Sequence, residues 1–177
     1  MTIEPLSHRG RPGDLTFRSP DVADAATVWR LARSCEGLDE NSPYAYLLVC
    51  SHFAATSVVA TCGREVVGFA SAYRPPTARE AVFVWQIAVA PDWRGVGVGT
   101  HLLAALLERP ANRDATHLEA TVTAPNLPSE RLFRSFAEHR QARCATSVMF
   151  PAGAFPGTEH EAEVLFRIGP LRLSRPA

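Results

Sequence analysis

Apolar and polar positions follow two periods along this chain, and the switches between them lay out its elements. Leu15 to Arg18 alternates weakly and reads as a first strand. Pro20-Asp21 opens a helix whose apolar stripe is Val22, Ala25, Ala26, Trp29 and Leu31–Ala32, ending near Cys35, with Trp29 facing the core. Residues 37–44 are dense in turn formers and acids, and a second helix follows from Tyr44 to Thr56. Val58 to Cys62 and Val66 to Tyr73 are β-rich runs joined by Gly63-Arg-Glu, a hairpin that Arg74-Pro-Pro terminates. Ala81 to Ala90 is apolar on both alternating sets, which marks a mid-sheet strand covered on both faces. Its polar interruption, Gln86, requires a partner. A helix from Gly99 to Glu108 stops before Pro110, and His117 to Thr123 forms the next strand. Glu130 to His139 is a helix with Leu132, Phe133, Phe136 and Ala137 on its apolar face, and Thr146–Phe150 and Val164–Ile168 supply two last strands. The order βααβββαβαββ describes an α/β (α+β) chain, a mixed central sheet flanked by helices.

Length and composition narrow the classes. The 177 residues suit one domain, with 46% apolar and 20% charged positions, ordinary for a soluble globular protein. Eighteen basic residues, all Arg, balance eighteen acids, and a net charge of zero argues against nucleic acid or an anionic membrane as partner. No apolar run approaches the ~20 residues that span a bilayer. Met1 to Asp14 is polar and reads as a disordered lead-in with no signal peptide, residues 15–171 as the single domain and 172–177 as a tail. Cys35, Cys50, Cys62 and Cys144 are widely spread, with no His at metal-ligand spacing. They read as reduced, mostly buried thiols of a cytoplasmic protein, and no metal is expected.

The stretch from Val82 to Leu107 (VFVWQIAVAPDWRGVGVGTHLLAALL) carries the first chemistry: a strand, a glycine loop and a helix N-terminus in that order. Unpaired N–H groups in the helix's first turn and the helix dipole favour an anion. Gly95, Gly97 and Gly99 remove Cβ atoms from its approach, and Arg94 offers a guanidinium. A nucleotide P-loop needs a Lys that this chain lacks, and the dinucleotide Gly-x-Gly-x-x-Gly spacing is not met. A second candidate region is the loop before Tyr44. Either Ser42 or Asn41 caps the second helix there, or Asp39 and Glu40, followed by Tyr44 and Tyr46, line a pocket for a cation.

Arg94, Gly97 and Gly99 match the Arg/Gln-x-x-Gly-x-Gly/Ala signature, and through it the chain resembles the GCN5-related N-acetyltransferases. The resemblance implies acetyl-coenzyme A as co-substrate. It places the pyrophosphate on Arg94, Gly95, Val96, Gly97, Val98, Gly99 and Thr100, and the pantetheine arm along Ile87, Ala88 and Val89, where a backbone N–H meets the oxyanion. Asn126 matches the first position of the family's Asn-x-x-x-x-x-x-Tyr pattern, a coenzyme A contact. Phe133 stands at the Tyr position and cannot protonate the departing sulfur.

A more specific resemblance is spread over the chain. Residues 38–46 (LDENSPYAY), 73–76 (YRPP), 83–89 (FVWQIAV), 118–123 (LEATVT), 155–157 (FPG) and the His160-x-x-Glu163 spacing look like the diaminobutyrate acetyltransferases of ectoine biosynthesis. That family implies acetyl transfer to the γ-amine of L-2,4-diaminobutyrate, in a homodimer. It also implies Asp39 and Glu163 as binders of the ammonium groups and candidate bases, and Tyr44 and Trp85 as cation–π walls. His160 orients a carboxylate or relays a proton. Arg74 is our own candidate for the substrate carboxylate. Plainer roles stand beside these: Trp85 in the core, His160 on a surface loop, Asp39 as a helix cap. Rival functions are acetyl transfer to ornithine, lysine or a polyamine, or a silent acyl-coenzyme A sensor.

Overall fold

The computed structural model describes residues 14–35, 37–156 and 160–171. The expected tail, and the lead-in apart from Asp14, lie outside them. The elements follow the expected order: β1 Leu15–Arg18, α1 Ala25–Arg33, α2 Pro43–His52, β2 Val58–Cys62, β3 Glu65–Tyr73, β4 Ala81–Val89, α3 Val98–Leu107, β5 His117–Thr123, α4 Leu127–His139, β6 Cys144–Phe150 and β7 Glu163–Ile168. Helix α2 starts one residue earlier than expected and stops four sooner, because Pro43 suits the first helical turn and Ser42 caps it. Helix α4 starts three residues before the expected Glu130, because the Asn126 side chain accepts from the Ser129 N–H and caps it.

Seven strands form one sheet in the order β1-β2-β3-β4-β5-β7-β6. Strand alternation feeds two cores. Val58, Ala70 and Ile87 face α3 and α4 with Leu102, Leu103, Leu106, Phe133 and Phe136. Their neighbours Val59, Phe69 and Ala88 face α1 and α2 with Val28, Leu31, Tyr46 and Cys50. At the edge, Arg18 ties β1 to the turn before α1 through a paired contact with Asp24, at 2.7 and 2.8 Å. That contact, against the cost of burial, holds the Asp24 carboxyl below its ordinary range.

Two irregularities in β4 shape the site. Its parallel pairing with β5 runs from Ala81↔His117 to Val84↔Ala120 and stops, so the strand ends beyond diverge. On the other side, Ser71 pairs with Gln86 but Ala72 with Val84, leaving Trp85 as the extra residue of a β-bulge. The expectation of a strand buried on both faces therefore fails at one position. Trp85 is 41% exposed and Gln86 beside it only 5%.

Candidate active site

The diverging ends of β4 and β5 open two adjoining clefts. The larger, of about 1320 Å³, is walled by Ala88, Val89, Arg94 and the glycine loop, together with Cys35 and Leu132. Ala90 N–H donates to Val67 and Gln86 N–H to the Ser71 hydroxyl, both on the β3 side. By strand alternation, Ile87 and Val89 N–H point the other way, into the splay that β5 has left. Gly97 caps α3 in the left-handed region at φ 88°, and no side chain caps the helix, so its first-turn N–H groups face the cleft. Arg94 is held at the rim by Nε–H to the Val89 carbonyl at 3.0 Å and by Nη2 against Cys35 Sγ at 3.1 Å. Gly99 lines this cleft and has a second use as well. A Cβ there would meet Leu132 of α4 at 3.2 Å, so this glycine lets the two helices close.

The smaller cleft, of about 670 Å³, is lined by Asp39, Trp85, Gln86, Phe133 and Glu163 among others. Its described lining contains two carboxylates and no Arg. Beside it stands His160, stacked on Phe155 at 3.7 Å and 10°. His160 Nδ1 lies 2.7 Å from the Glu161 carbonyl. A carbonyl only accepts, so Nδ1 is the donor there. Nε2 faces Asp39 Oδ2 at 3.9 Å. Asp39, His160 and Glu163 offer atoms all within 4.8 Å of one another. A central atom then sits at up to about 2.8 Å from each, an ammonium hydrogen-bond distance.

The acidic loop is fixed at two points, by Gln86 and by Asn126. Buried Gln86 accepts from Tyr46 Oη at 2.9 Å and donates Nε2–H to the Asp39 carbonyl at 2.9 Å. Burial pushes the Tyr46 phenol above its ordinary value, so it remains a donor. Asn126, besides capping α4, donates to the Gly37 carbonyl at 2.9 Å, close against a glycine at φ 81°. The loop is therefore tied to β4 and to α4 while the Asp39 carboxylate stays outside, its side chain 78% exposed.

Several assigned residues sit elsewhere. Arg74 is not a substrate ligand in this geometry. Its guanidinium is spent on the carbonyls of Ala81, Ala111 and Arg79 and on Asp114 at 2.5 Å, at the far end of β4 from the splay. Tyr44 is 66% exposed on α2 and lines neither cleft, and Val96, 48% exposed, also stands outside. Phe133 belongs to the core and the smaller cleft, not to the cofactor-side wall expected for it. Of the cysteines only Cys50 is buried, with burial raising its thiol to about 11; Cys35 lines the larger cleft. Sequence reasoning passed over Leu38 and Ser129, which line both clefts. For Ser129 a signal existed: it lies one helical turn before Phe133 on the same face.

A profile of the acetyltransferase (GNAT) family matches residues 25–137. The L-2,4-diaminobutyric acid acetyltransferase of Streptomyces coelicolor is 48% identical over 160 residues, covering 89% of this chain and 94% of that one. The enzyme of the same name from Shouchella clausii is 47% identical over 158 residues, 89% of this chain and 88% of that one. Among solved structures, the diaminobutyrate acetyltransferase EctA from Paenibacillus lautus, in complex with its substrate L-2,4-diaminobutyric acid and coenzyme A, superposes with a TM-score of 0.84 at 38% identity, over 92% of this chain and 98% of that one. A family profile over more than half the chain and near-full-length relatives of one name lead to one conclusion: the chain belongs to the GNAT acetyltransferases, in the branch of the L-2,4-diaminobutyric acid acetyltransferases.

Proposed function

We propose that the protein transfers the acetyl group of acetyl-coenzyme A to the γ-amine of L-2,4-diaminobutyrate, giving N4-acetyl-L-2,4-diaminobutyrate for ectoine, a compatible solute. The observation that carries this reading is the Asp39–His160–Glu163 group, with atoms within 4.8 Å of one another, beside a cleft whose described lining holds two carboxylates and no Arg. A substrate with two ammonium groups supplies donors to those carboxylates. The Paenibacillus lautus enzyme, whose structure holds diaminobutyric acid and coenzyme A, supports the same assignment.

The chemistry needs a neutral amine, a stabilised oxyanion and a departing sulfur. An alkylamine with a pKa near ~10.4 is about one part in a thousand neutral at pH 7, costing roughly 4–5 kcal/mol. Glu163 takes that proton, directly or through water, while Asp39 holds the second ammonium and Trp85 covers it. The amine nitrogen attacks the thioester carbonyl, whose oxygen is met by the Ile87 or Val89 N–H. Collapse of the tetrahedral intermediate releases coenzyme A. The glycine loop, the α3 N-terminus and Arg94 hold its pyrophosphate, with Asn126 beside the pantetheine.

We further propose a single catalytic domain over residues 15–171, in a cytoplasmic homodimer. Val148, Met149 and Phe150 are 61%, 42% and 44% exposed on the edge strand β6, an apolar surface that a second copy covers. Light scattering on purified protein gives a dimer mass on this reading and a monomer mass against it. Coenzyme A release with diaminobutyrate, ornithine, lysine and a polyamine side by side tests the acceptor, with the acetylated nitrogen assigned by NMR. Diaminobutyrate is expected to lead, acetylated at N4. Preference for another amine makes the protein a GNAT of different specificity, and acetyl-coenzyme A binding without turnover makes it a sensor.

A further inference from the structure

The leaving group poses a problem that Phe133 leaves open. Its ring is 2% exposed, sits 6.3 Å from that of Phe166, and carries no hydrogen to donate. Side chains on a helix lean back toward its N-terminus, so a tyrosine at 133 would carry its hydroxyl one turn up, ~5.4 Å along the axis. Ser129 stands at that level, four residues earlier on the same face of α4.

Two further observations single it out. Leu38, Ile87, Asn126 and Ser129 are the described residues that line both clefts, and Ser129 alone among them bears a hydroxyl. The Ser129 N–H is used in the cap, donating to Asn126 Oδ1 at 3.2 Å, whereas its Oγ has no hydrogen-bond partner among the described residues. Half-buried Ser129 thus carries a hydroxyl with no partner among the described residues where the two clefts join. Under the proposed function, that junction is where the thioester bond must lie for an amine in one cleft to reach an acyl group in the other.

We propose that the Ser129 hydroxyl donates a hydrogen bond to the thioester sulfur and stabilises it as it leaves. The C–N bond forms from the amine lone pair, the carbonyl π pair moves to oxygen, and the nitrogen releases its extra proton to water. The oxygen pair then re-forms the carbonyl as the C–S bond breaks, and the C–S bonding pair stays on sulfur. Ser129 keeps its proton. A thiol pKa of ~8.5 makes a hydrogen-bonded thiolate an adequate leaving form, and water supplies its proton afterwards. No tyrosine is needed, and the chain's departure from the family pattern leaves the reaction intact. This inference rests on the acetyl-transfer reading of the site.

The test is Ser129→Ala with Ser129→Thr as its conservative partner. Removing one hydrogen bond to a charged group corresponds to a loss of about tenfold to a hundredfold in kcat. Ser129→Thr is expected to keep most of it, with the KM for diaminobutyrate and the Kd for acetyl-coenzyme A unchanged in both. A second readout needs coenzyme A alone. Ultraviolet titration of its bound thiol should give a lower pKa in wild type than in Ser129→Ala. An unchanged kcat in Ser129→Ala, equal losses in both variants, or identical thiol pKa values would each overturn the proposal. The titration stands apart from acceptor identity, so failure of diaminobutyrate as a substrate does not decide it.

Discussion

The two clefts are built from different materials. The larger is made mostly of backbone: strand N–H groups freed by the splay, a left-handed Gly97 and the open first turn of α3. The smaller is made of side chains brought from distant segments: Asp39 before α2, Trp85 from a bulge, His160 and Glu163 around the start of β7. A backbone cradle suits the phosphate end of an acyl-coenzyme A and reads nothing of the acceptor. On the proposed function, the side chains on loops set which amine enters. If this division holds, substitutions should separate the two functions cleanly, and those at shared residues should not.

The largest separation is expected at the acids. Glu163→Gln should cut diaminobutyrate turnover by about a hundredfold or more, as loss of a positioned base does. Asp39→Ala should also remove most turnover. Calorimetry with acetyl-coenzyme A should give wild-type affinity for both, and a matching loss there would indicate misfolding instead. On the backbone side, Gly97→Val forces a β-branched residue into the left-handed region, costing roughly 1–2 kcal/mol. It should weaken acetyl-coenzyme A binding about tenfold while a thermal melt still shows a folded protein.

Gln86→Leu sharpens the comparison at a smaller scale. It strands the Tyr46 hydroxyl and frees the Asp39 carbonyl, so about 1–3 kcal/mol of stability should go. The KM for diaminobutyrate should rise severalfold with the acetyl-coenzyme A KM unmoved. A rise in both would mean that Gln86 braces the whole splay.

The smallest effect lies outside both clefts. The Asp24 carboxyl is depressed in the folded state by Arg18, so its stabilisation is present above the ordinary value of 3.8 and lost as pH falls through the folded value. Arg18 is partly exposed, and screening limits the pair to about 1 kcal/mol. Acid unfolding of Asp24→Asn should therefore fall short of wild type above pH ~4 and converge with it only as pH drops through the lowered folded-state value of Asp24.

The same contrast explains what was legible in the sequence. Element order and the cradle are local patterns: Arg94 to Gly99 and both hydrophobic periods lie within short windows. The acceptor site needs contacts between residues 39, 85, 160 and 163, and these became visible only through family resemblance. Gln86 shows the limit of pattern reading. Its need for a partner was evident, but the bulge that turns Trp85 outward leaves no trace in an apolar run. Arg74 fails for the opposite reason. Its charge suited a carboxylate, yet three carbonyls and Asp114 had already claimed it. With Arg74 gone, no cation remains in the described lining of the acceptor cleft.

That last point permits the most direct measurement of the account's central claim, that the acceptor cleft reads ammonium groups. Two analogues of diaminobutyrate each delete one charge: 4-aminobutyrate lacks the α-ammonium and 1,3-diaminopropane lacks the carboxylate. Compared by kcat/KM, 4-aminobutyrate should lose about 10- to 100-fold, the worth of charge-assisted hydrogen bonds to the acids. The loss for 1,3-diaminopropane should stay below about tenfold, since no charged partner is forfeited. The reverse order, with the carboxylate dominating, would contradict an acceptor site organised by Asp39 and Glu163.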